Sequence, residues 1–450
     1  MFRSIRRAIY LLQLENYNLK RYFSVAAKRF FSKDKMREAI VWTPKLATLS
    51  VLAFFLLIAI AYLATRPLIE DEMYLGLFPL AFLFLFLLLC YFYFVFLILA
   101  AWVVSPFDYL IKNIIISQAR AKLTKFGNLK IIGITGSFGK TTTKEVLGVI
   151  LNEKFRVLKT PESVNTPVGI SRLILKDLST DTQILIVEMG AYHRGDIKAL
   201  CSIARPDIAV LTGINEAHLQ RFGSMENTIT TKFELVENAK GDALILLNEE
   251  NKLVVENFQK FIGFHKPVFY SRTVSGQYRD IKLAIPGDYI WGVVSACVII
   301  AKELGMTDAE IRLGIQKIKA IPHRLQVIEN RVSGITVIDD SYNGNPEGVR
   351  EAIKVLGAYK DRRKIYITPG LVEMGDKVRE VHNNIGDELR STADLIILIK
   401  NSVTPFIAEK LDQHKIVWFD SAPMAHLTLP EILKSGDVVM FQNDWPDNYI

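Results

Sequence analysis

Cysteine is scarce in this chain. Its three cysteines among 450 residues, Cys90, Cys201 and Cys297, show no spacing typical of a disulfide framework or a metal site. We expect them to be small apolar residues in a reducing compartment. Internal repeats and low-complexity tracts are also lacking, which excludes a repeat array.

Charged residues are missing from two long stretches near the N-terminus. The first covers residues 46–65, and at about 1.5 Å per residue a helix of that length spans about 30 Å, the thickness of a bilayer core. The second covers 73–104, and Pro79 makes a natural break, so we place a second membrane helix at 80–104. A buried soluble hairpin fits two such runs poorly, and a cleaved signal peptide would start earlier. The sequence predicts an α-helical transmembrane hairpin.

Acidic residues are few in residues 1–45, which hold eleven Lys or Arg against three acids. The positive-inside rule places this basic arm in the cytoplasm. Because a hairpin returns the chain to its starting side, we expect residues 105–450 to lie in the cytoplasm as well, at the cell membrane. The arm fits either an interfacial helix on anionic lipid or a topogenic signal alone. Nucleic acid is a poorer partner, since the charge adjoins membrane segments and no recognisable binding module.

The stretch TGSFGKTTT, residues 135–143, predicts a grip for nucleotide phosphates. The general pattern GxxxxGK[ST] is not met, because the first glycine would fall at Ile134. Glycines still allow backbone N–H groups to point inward, the lysine can reach the terminal phosphates, and a threonine can hold magnesium. An apolar run before the loop and a helix-like run after it make a chance glycine turn improbable. The predicted nucleotide-binding residues here are Gly136, Ser137, Phe138, Gly139, Lys140, Thr141 and Thr142.

Short aliphatic runs alternate with helix-like segments from Lys130 onward. KIIGI, QILIVEMG, DIAVLTG and DALILLN predict an α/β fold with a parallel sheet wrapped by helices. A second series, GITVIDD, RKIYITPG and DLIILIK, predicts a smaller α/β domain beginning near residue 322. The expected domains are a basic arm at 1–45, the hairpin at 46–104, a juxtamembrane helix or linker at 105–125, a nucleotide-binding domain at 126–321 and a C-terminal domain at 322–450.

Three polar residues lie at the end of a predicted strand or in the segments that follow the next strand. Glu188 ends the run ILIVE, where ligands bind in open α/β sheets, and is a candidate magnesium ligand. His218 lies in the loop after the next strand, and Lys232 follows in TITTKFEL. Alone, each has a simpler interpretation, as a helix cap, a solvated loop residue or part of a charged face. Their common position favours a site.

Several motifs occur in the order and spacing seen in Mur ligases. They are TGSFGKTTTKE, VEMGAYHRGDI, RPDIAVLTGINEAHLQRFGS, TKFELVE, PHRLQVI and IDDSYNGNPEGVREAI. Over most of residues 126–450 the chain resembles this family, and most of all its D-alanyl-D-alanine-adding (MurF-type) members. The resemblance implies a central P-loop-type ATPase domain and a Rossmann-like C-terminal domain. It also implies an ADP-forming ligase in peptidoglycan synthesis that joins an acid and an amine through an acyl phosphate.

The resemblance also implies roles for the loop and strand-end residues. Thr141 and Glu188 would hold one Mg²⁺, and His218 a second. Lys140 would neutralise the β- and γ-phosphates. Lys232 matches a lysine that is carbamylated in the family, which converts a cation into an anionic oxygen ligand.

Further residues are implied on the second half of the chain. Arg324 resembles an arginine that approaches the γ-phosphate, and Asp340 a residue that contacts the ATP ribose. The implied substrate-binding residues are Asn165, Asn343 and Asn345. The turn around the last two also fits a simple Asx-rich loop after a strand.

The chain departs from the family pattern in three places. Tyr289, Ile290 and Val293 stand where relatives have residues near the adenine, so we expect different base binding, with stacking on Tyr289 or Trp291. A membrane hairpin stands where relatives have an N-terminal domain for the UDP-sugar, which leaves a UDP-linked or a lipid-linked peptide as the acid. The C-terminus lacks the Lys-Gly-Ser segment common in relatives, which leaves the amine open between an amino acid and a dipeptide such as D-alanyl-D-alanine.

Two other functions compete with a membrane-anchored ligase. A nucleotide-binding scaffold without ligation is disfavoured because Lys140, Glu188, His218 and Lys232 are all present. A transport ATPase is disfavoured because two helices without interrupting polar residues make a poor conduit.

Overall fold

The computed structural model describes residues 2–15, 17–28, 39–71, 73–161, 164–342 and 344–443. These residues form two compact units, one ending at Ile114 and the other beginning at Ile115. Asn343, part of the basic arm and the last residues of the C-terminus lie outside the described residues.

The first unit is helical. Its helices are α1 (Phe2–Leu14), α2 (Leu19–Lys28), α3 (Pro44–Thr65), α4 (Pro67–Glu70), α5 (Phe78–Tyr91) and α6 (Tyr93–Leu123), the last of which continues beyond the unit. The sequence starts α3 with a cap, because Thr43 Oγ1 accepts a hydrogen bond from Leu46 N at 3.2 Å and Pro44 takes the first helical position. Buried apolar side chains such as Leu12, Leu49 and Leu97 hold the unit together.

The apolar stretches divide differently from the prediction. Helices α3 and α6 are long and apolar enough to cross a bilayer, by length and composition. The helix predicted at 80–104 is wrong in its bounds, because the chain leaves the helical conformation at Phe92, between α5 and α6. Neither glycine nor proline marks that break in the sequence. A tertiary hydrogen bond lies beside it, from Tyr93 Oη to the carbonyl of Ser50 at 2.7 Å.

The second unit contains two sheets, each six-stranded in the part of the chain that the structure describes. The strands of the first sheet are β1 (Lys130–Thr135), β2 (Val157–Lys159), β3 (Ile184–Glu188), β4 (Ile208–Leu211), β5 (Leu244–Asn248) and β6 (Pro267–Tyr270). The helices that follow these strands are α7 (Lys140–Leu151), α8 (Pro167–Asp177), α9 (Asp196–Cys201), α10 (Leu219–Phe222), α11 (Met225–Glu237), α12 (Lys252–Asn257), α13 (Ile290–Glu303) and α14 (Asp308–Gln316). All neighbouring strands of this sheet run parallel. Apolar clusters cover both of its faces, which explains the uninterrupted aliphatic runs in the sequence.

The second sheet lies in the later part of the unit. Its strands are β7 (Gln326–Asn330), β8 (Ile335–Asp340), β9 (Lys364–Thr368), β10 (Leu395–Ile399), β11 (Ile416–Phe419) and β12 (Val438–Gln442). Its helices are α15 (Pro346–Gly357), α16 (Val378–Thr392), α17 (Thr404–Ala408) and α18 (Ala422–Ile432). Only β7 pairs antiparallel among these strands. The predicted α/β class, with a parallel sheet followed by a second sheet, is confirmed.

The strand order of the first sheet fixes where a ligand can bind. The order is β2-β3-β1-β4-β5-β6, so β1 lies between β3 and β4 and the chain changes direction across the sheet next to it. The loops after these three strands therefore meet at one edge. Ligands of open α/β sheets bind at such a switch point.

Candidate active site

The loop between β1 and α7 is held by the loop after β4. Ser137 N donates to Gly213 O at 2.8 Å, and Thr212 Oγ1 contacts the carbonyl oxygens of Thr135 and Phe138. Gly136 is required here, because a Cβ atom on it would collide with Thr212 Oγ1. The chain then enters α7 at Lys140, as the sequence predicts.

Lys140 lies over this loop, and its Nζ donates to the carbonyl of Gly136 at 2.7 Å. Burial lowers the pKa of Lys140; Glu188 opposes this shift and Arg324 adds to it. Lys140, Glu188 and Arg324 therefore lie in one electrostatic neighbourhood, although they come from three distant parts of the sequence.

Thr141 and Glu188 meet as predicted. Thr141 Oγ1 donates to Glu188 Oε1 at 3.1 Å, which joins the first turn of α7 to the end of β3. Sequence reasoning missed a third member, Lys144, whose fully buried Nζ lies 3.2 Å from Glu188 Oε2. Its spacing three residues after Thr141, on the same helix face, was the available signal.

His218 and Lys232 lie near Lys140, whose charge acts on both. His218 is the N-cap residue immediately before α10 and has a left-handed backbone, φ 61°. Burial lowers the pKa of His218 against the opposing hydrogen bond and charge of Glu373, and the charges of Lys140 and Lys232 add to the lowering. Burial also holds the pKa of Lys232 well below its usual value, and Lys140 adds to that effect. The Lys232 ammonium lies 5.4 Å from the centre of the Phe222 ring.

Arg324 and Asp340 come from the segment that carries the second sheet. Arg324 Nη1 donates to Tyr342 O at 2.7 Å, and its guanidinium lies 4.8 Å from the centre of the Tyr342 ring. Arg324 Nε is buried and has no hydrogen-bond partner within the described part of the chain. Leu325 N donates to Asp340 Oδ1 at 3.2 Å, which places the two predicted residues side by side. Burial raises the pKa of Asp340 to about 7, against the opposing charge of Arg324.

A cavity of about 610 Å³ lies between the end of the phosphate loop and the segment around Arg324, and its lining does not include Lys140, Thr141, Glu188, His218 or Lys232. Its lining includes Phe138 and Gly139 from the loop and Thr142 from the first turn of α7. It also includes Arg324 and Asp340 from the later segment, and Tyr289 and Val293 from the region where the chain departs from the family pattern. Trp291 instead packs with the Arg279 guanidinium, 5.3 Å from the ring centre. Of the two aromatic residues proposed for base stacking, Tyr289 is the one in the cavity wall.

The predicted substrate-binding asparagines are divided between two places. Asn165 is half-buried, and its side chain lies beside Gly190, which follows β3. Asn345 caps α15 by accepting from Gly348 N at 3.0 Å, and it also accepts from Asn215 Nδ2 at 3.1 Å. Asn345 therefore links the loop after β4 to the second sheet. Asn343 lies outside the described residues.

The polar atoms beside the loop fit a magnesium ion. Within the described ranges, no three His, Cys, Asp or Glu side chains come together as a metal site. The predicted ligands of the first ion are instead the Thr141 hydroxyl and the Glu188 carboxylate, and hard oxygen donors of this kind suit Mg²⁺. Glu188 Oε2 is buried and lies 3.2 Å from the Lys144 ammonium, and because a carboxylate oxygen has two lone pairs, one remains for a cation.

Two family models match the second unit. Residues 134–283 match the Mur ligase middle domain, and residues 323–442 match the glutamate ligase domain of Mur ligases. Together the two matches cover more than half of the chain.

Known proteins of one type resemble the chain. The UDP-N-acetylmuramoyl-tripeptide–D-alanyl-D-alanine ligase of Bacillus subtilis is 26% identical over 348 residues, which are 72% of this chain and 75% of that protein. The crystal structure of the Thermotoga maritima MurF ligase in complex with ADP superposes with a TM-score of 0.64 at 27% identity, covering 74% of this chain and 80% of the other. MurF from Acinetobacter baumannii shares the fold, with a TM-score of 0.64 at 23% identity, covering 74% of this chain and 77% of the other.

Proposed function

Because this chain belongs to the Mur ligase family, we propose that it is a membrane-anchored, MurF-type ligase of peptidoglycan synthesis. It uses ATP, releases ADP and forms an amide bond. By analogy with the relatives, the acid is a UDP-N-acetylmuramoyl-tripeptide and the amine is D-alanyl-D-alanine. The carrying observation is that Arg324 and Asp340 line the same cavity as the phosphate loop.

The chemistry has two balanced steps. A carboxylate oxygen of the acid attacks the γ-phosphorus of ATP, and the bond to the β,γ-bridging oxygen breaks to release ADP. The amine then attacks the carbonyl carbon of the acyl phosphate, and phosphate leaves with one oxygen of the original carboxylate. The amine loses a proton as the amide forms.

The side chains of the site are suited to positioning and to charge, since phosphoryl transfer needs little covalent chemistry from the protein. Lys140 and Arg324 offset the charge of the phosphates, and the Arg324 Nε–H is a buried donor for an anion. Thr141 and Glu188 would hold Mg²⁺, and a carbamylated Lys232 with His218 would hold a second. A bound Mg²⁺ would withdraw electron density from the phosphoryl oxygens.

The hairpin supplies the membrane part of the proposal. The apolar character of α3 and α6 and the excess of basic residues in the arm support two spans with the arm and the ligase part in the cytoplasm. In this proposal the reaction takes place at the membrane surface. A lipid-linked peptide is therefore an acid to compare with the UDP-linked form.

Isotope transfer tests the mechanism directly. Purified full-length protein in detergent is given ATP, D-alanyl-D-alanine and a UDP-linked tripeptide whose reacting carboxylate carries ¹⁸O. We expect ADP release that requires both substrates, and one ¹⁸O atom in each phosphate released. ADP release without isotope transfer would contradict the acyl phosphate, and nucleotide binding without turnover would favour a scaffold. Running lipid-linked tripeptide in parallel decides between the two forms of the acid.

A further inference from the structure

One carboxylate joins two parts of the second unit at His218. Glu373, in the loop after β9, pairs through one oxygen with His218 Nδ1 and through the other with Arg221 Nε. The Glu373 side chain is 2% exposed, whereas those of His218 and Arg221 are 33% and 23% exposed. Glu373 is therefore the buried centre of the arrangement.

The backbone around this carboxylate is fixed from both sides. Glu373 has φ 63° and His218 has φ 61°, a left-handed conformation that residues other than glycine adopt at a cost. Gln220 N also donates to Glu373 O at 3.0 Å. The loop itself is tied by a hydrogen bond from Leu371 N to His382 Nε2 at 2.9 Å. Strain held in place by this many bonds is typical of functional positions.

The pairing decides which nitrogen of His218 carries the proton. An ionised carboxylate only accepts hydrogen bonds, so Nδ1 is the donor, and in the neutral ring Nε2 then keeps its lone pair. Histidine side chains that bind metal commonly donate their other N–H to a carboxylate, which fixes the tautomer and the ring orientation. Arg221 stabilises the charge of that carboxylate, and its guanidinium packs over the Tyr192 ring at 4.3 Å.

We propose that Glu373 is a positioning residue that holds the His218 imidazole with Nε2 available to a divalent cation. This inference rests on the proposed function, in which His218 is a ligand of the second magnesium ion. Glu373 belongs to the part of the chain that carries the second sheet, so this contact joins that part to the residue that precedes α10.

Three full-length variants test the role of Glu373. Glu373→Ala removes both acceptor oxygens, Glu373→Gln keeps one neutral acceptor, and Glu380→Gln is the matched control, an exposed carboxylate of α16 that pairs with Lys377 at 2.8 Å. The first readout is Mn²⁺ binding in the presence of ADP by electron paramagnetic resonance, which does not need turnover. The second is the Mg²⁺ concentration that gives half-maximal ADP release, measured separately from kcat.

We expect Glu373→Ala to weaken Mn²⁺ binding and raise the Mg²⁺ requirement about 10- to 100-fold, the usual effect of losing a carboxylate behind a metal-binding histidine. Glu373→Gln should keep most of the wild-type affinity for Mn²⁺, and Glu380→Gln should bind Mn²⁺ as tightly as the wild type. Unchanged Mn²⁺ binding in a folded Glu373→Ala protein would show a merely structural contact. If Glu373→Gln bound Mn²⁺ as weakly as Glu373→Ala, the proposal would also be overturned.

The tautomer of His218 provides a test that needs no altered Glu373. Selective ¹⁵N-histidine labelling of the wild type reports which ring nitrogen is protonated, with the His218 signals assigned by their loss in His218→Asn. Protonation at Nδ1 is expected, and protonation at Nε2 alone would overturn the proposal even if Glu373→Ala failed to fold. A wild type without ligase turnover would refute the proposed function, while the tautomer and Mn²⁺ measurements would still decide the role of Glu373.

Discussion

The buried ammonium of Lys144 lies 3.2 Å from the Glu188 carboxylate, inside the edge where the phosphate loop begins. Removing one member of a buried ion pair leaves the other charge without compensation. We expect Lys144→Met to lower the free energy of unfolding by about 3 kcal/mol, measured by urea denaturation. The comparison is Lys159→Met, which breaks a more exposed pair with Glu145 and should cost less than about 1 kcal/mol. Equal losses in both variants would contradict a special role of the buried pair.

The low pKa of Lys232 favours its modification by carbon dioxide. Burial and the nearby Lys140 lower the pKa of this amine and so increase its neutral fraction, and only a neutral amine adds CO₂ to form a carbamate and a proton. Protein exposed to ¹³C-bicarbonate should show a carbamate signal that Lys232→Ala lacks and that the exposed Lys266→Ala keeps. ADP release by Lys232→Ala should fall at least about 100-fold and recover in part with added formate or acetate.

The same pKa sets the direction of the pH effect on that carbamate. As the pH falls through the lowered pKa, the amine takes up a proton, so both carbamate signal and ligase rate should decrease. A signal that increases on acidification, or full activity of Lys232→Ala without added acid, would contradict carbamylation.

Asp340 makes stability depend on pH. Burial raises its pKa from 3.8 to about 7, so the folded state holds a proton in that window that the unfolded state has lost. The free energy of unfolding therefore falls as the pH rises from about 4 to about 7. Asp340→Asn mimics the protonated form, so it should match the wild type below about pH 4 and exceed its stability by about 4 kcal/mol above pH 7. Urea unfolding at both pH values checks this, with the exposed Asp361→Asn as control, and a constant difference would refute it.

Helix α3 offers a direct test of membrane insertion. Phe55 lies near the middle of this helix and is 61% exposed in the first unit. If that face contacts lipid, Phe55→Arg should cost about 2.5 to 3.5 kcal/mol of insertion free energy, while Phe55→Leu should be neutral. Full-length variants are compared by the fraction retained in membranes after carbonate extraction. Wild-type protein that is released by carbonate would contradict the anchor.

The fold and the loop were predictable because their signals are local. Aliphatic runs identified β1 and β3, and the glycines and threonines located the start of α7. The meeting of Thr141 with Glu188 followed from parallel strand ends sharing one edge. The resemblance to a family extended these local signals to Arg324 and Asp340.

What the sequence could not supply are contacts set by tertiary packing. Glu373 and His218 are 155 positions apart in the sequence, and nothing in residues 372–375 indicates which loop Glu373 contacts. The break at Phe92 occurs inside a uniform aromatic and aliphatic run, so the helix bounds there depend on neighbouring helices. The antiparallel β7 likewise has no distinguishing pattern, because pairing direction is decided by the chain path and not by residue type.

The contact of Thr212 with the phosphate loop has a consequence for nucleotide affinity. A flexible loop that must become ordered around a ligand spends part of its binding energy on lost conformational freedom. Here the neighbouring strand already holds the loop through Thr212 and the carbonyls of Thr135 and Phe138. Little entropy is then left to lose when triphosphate arrives, and loosening this support would appear as faster dissociation.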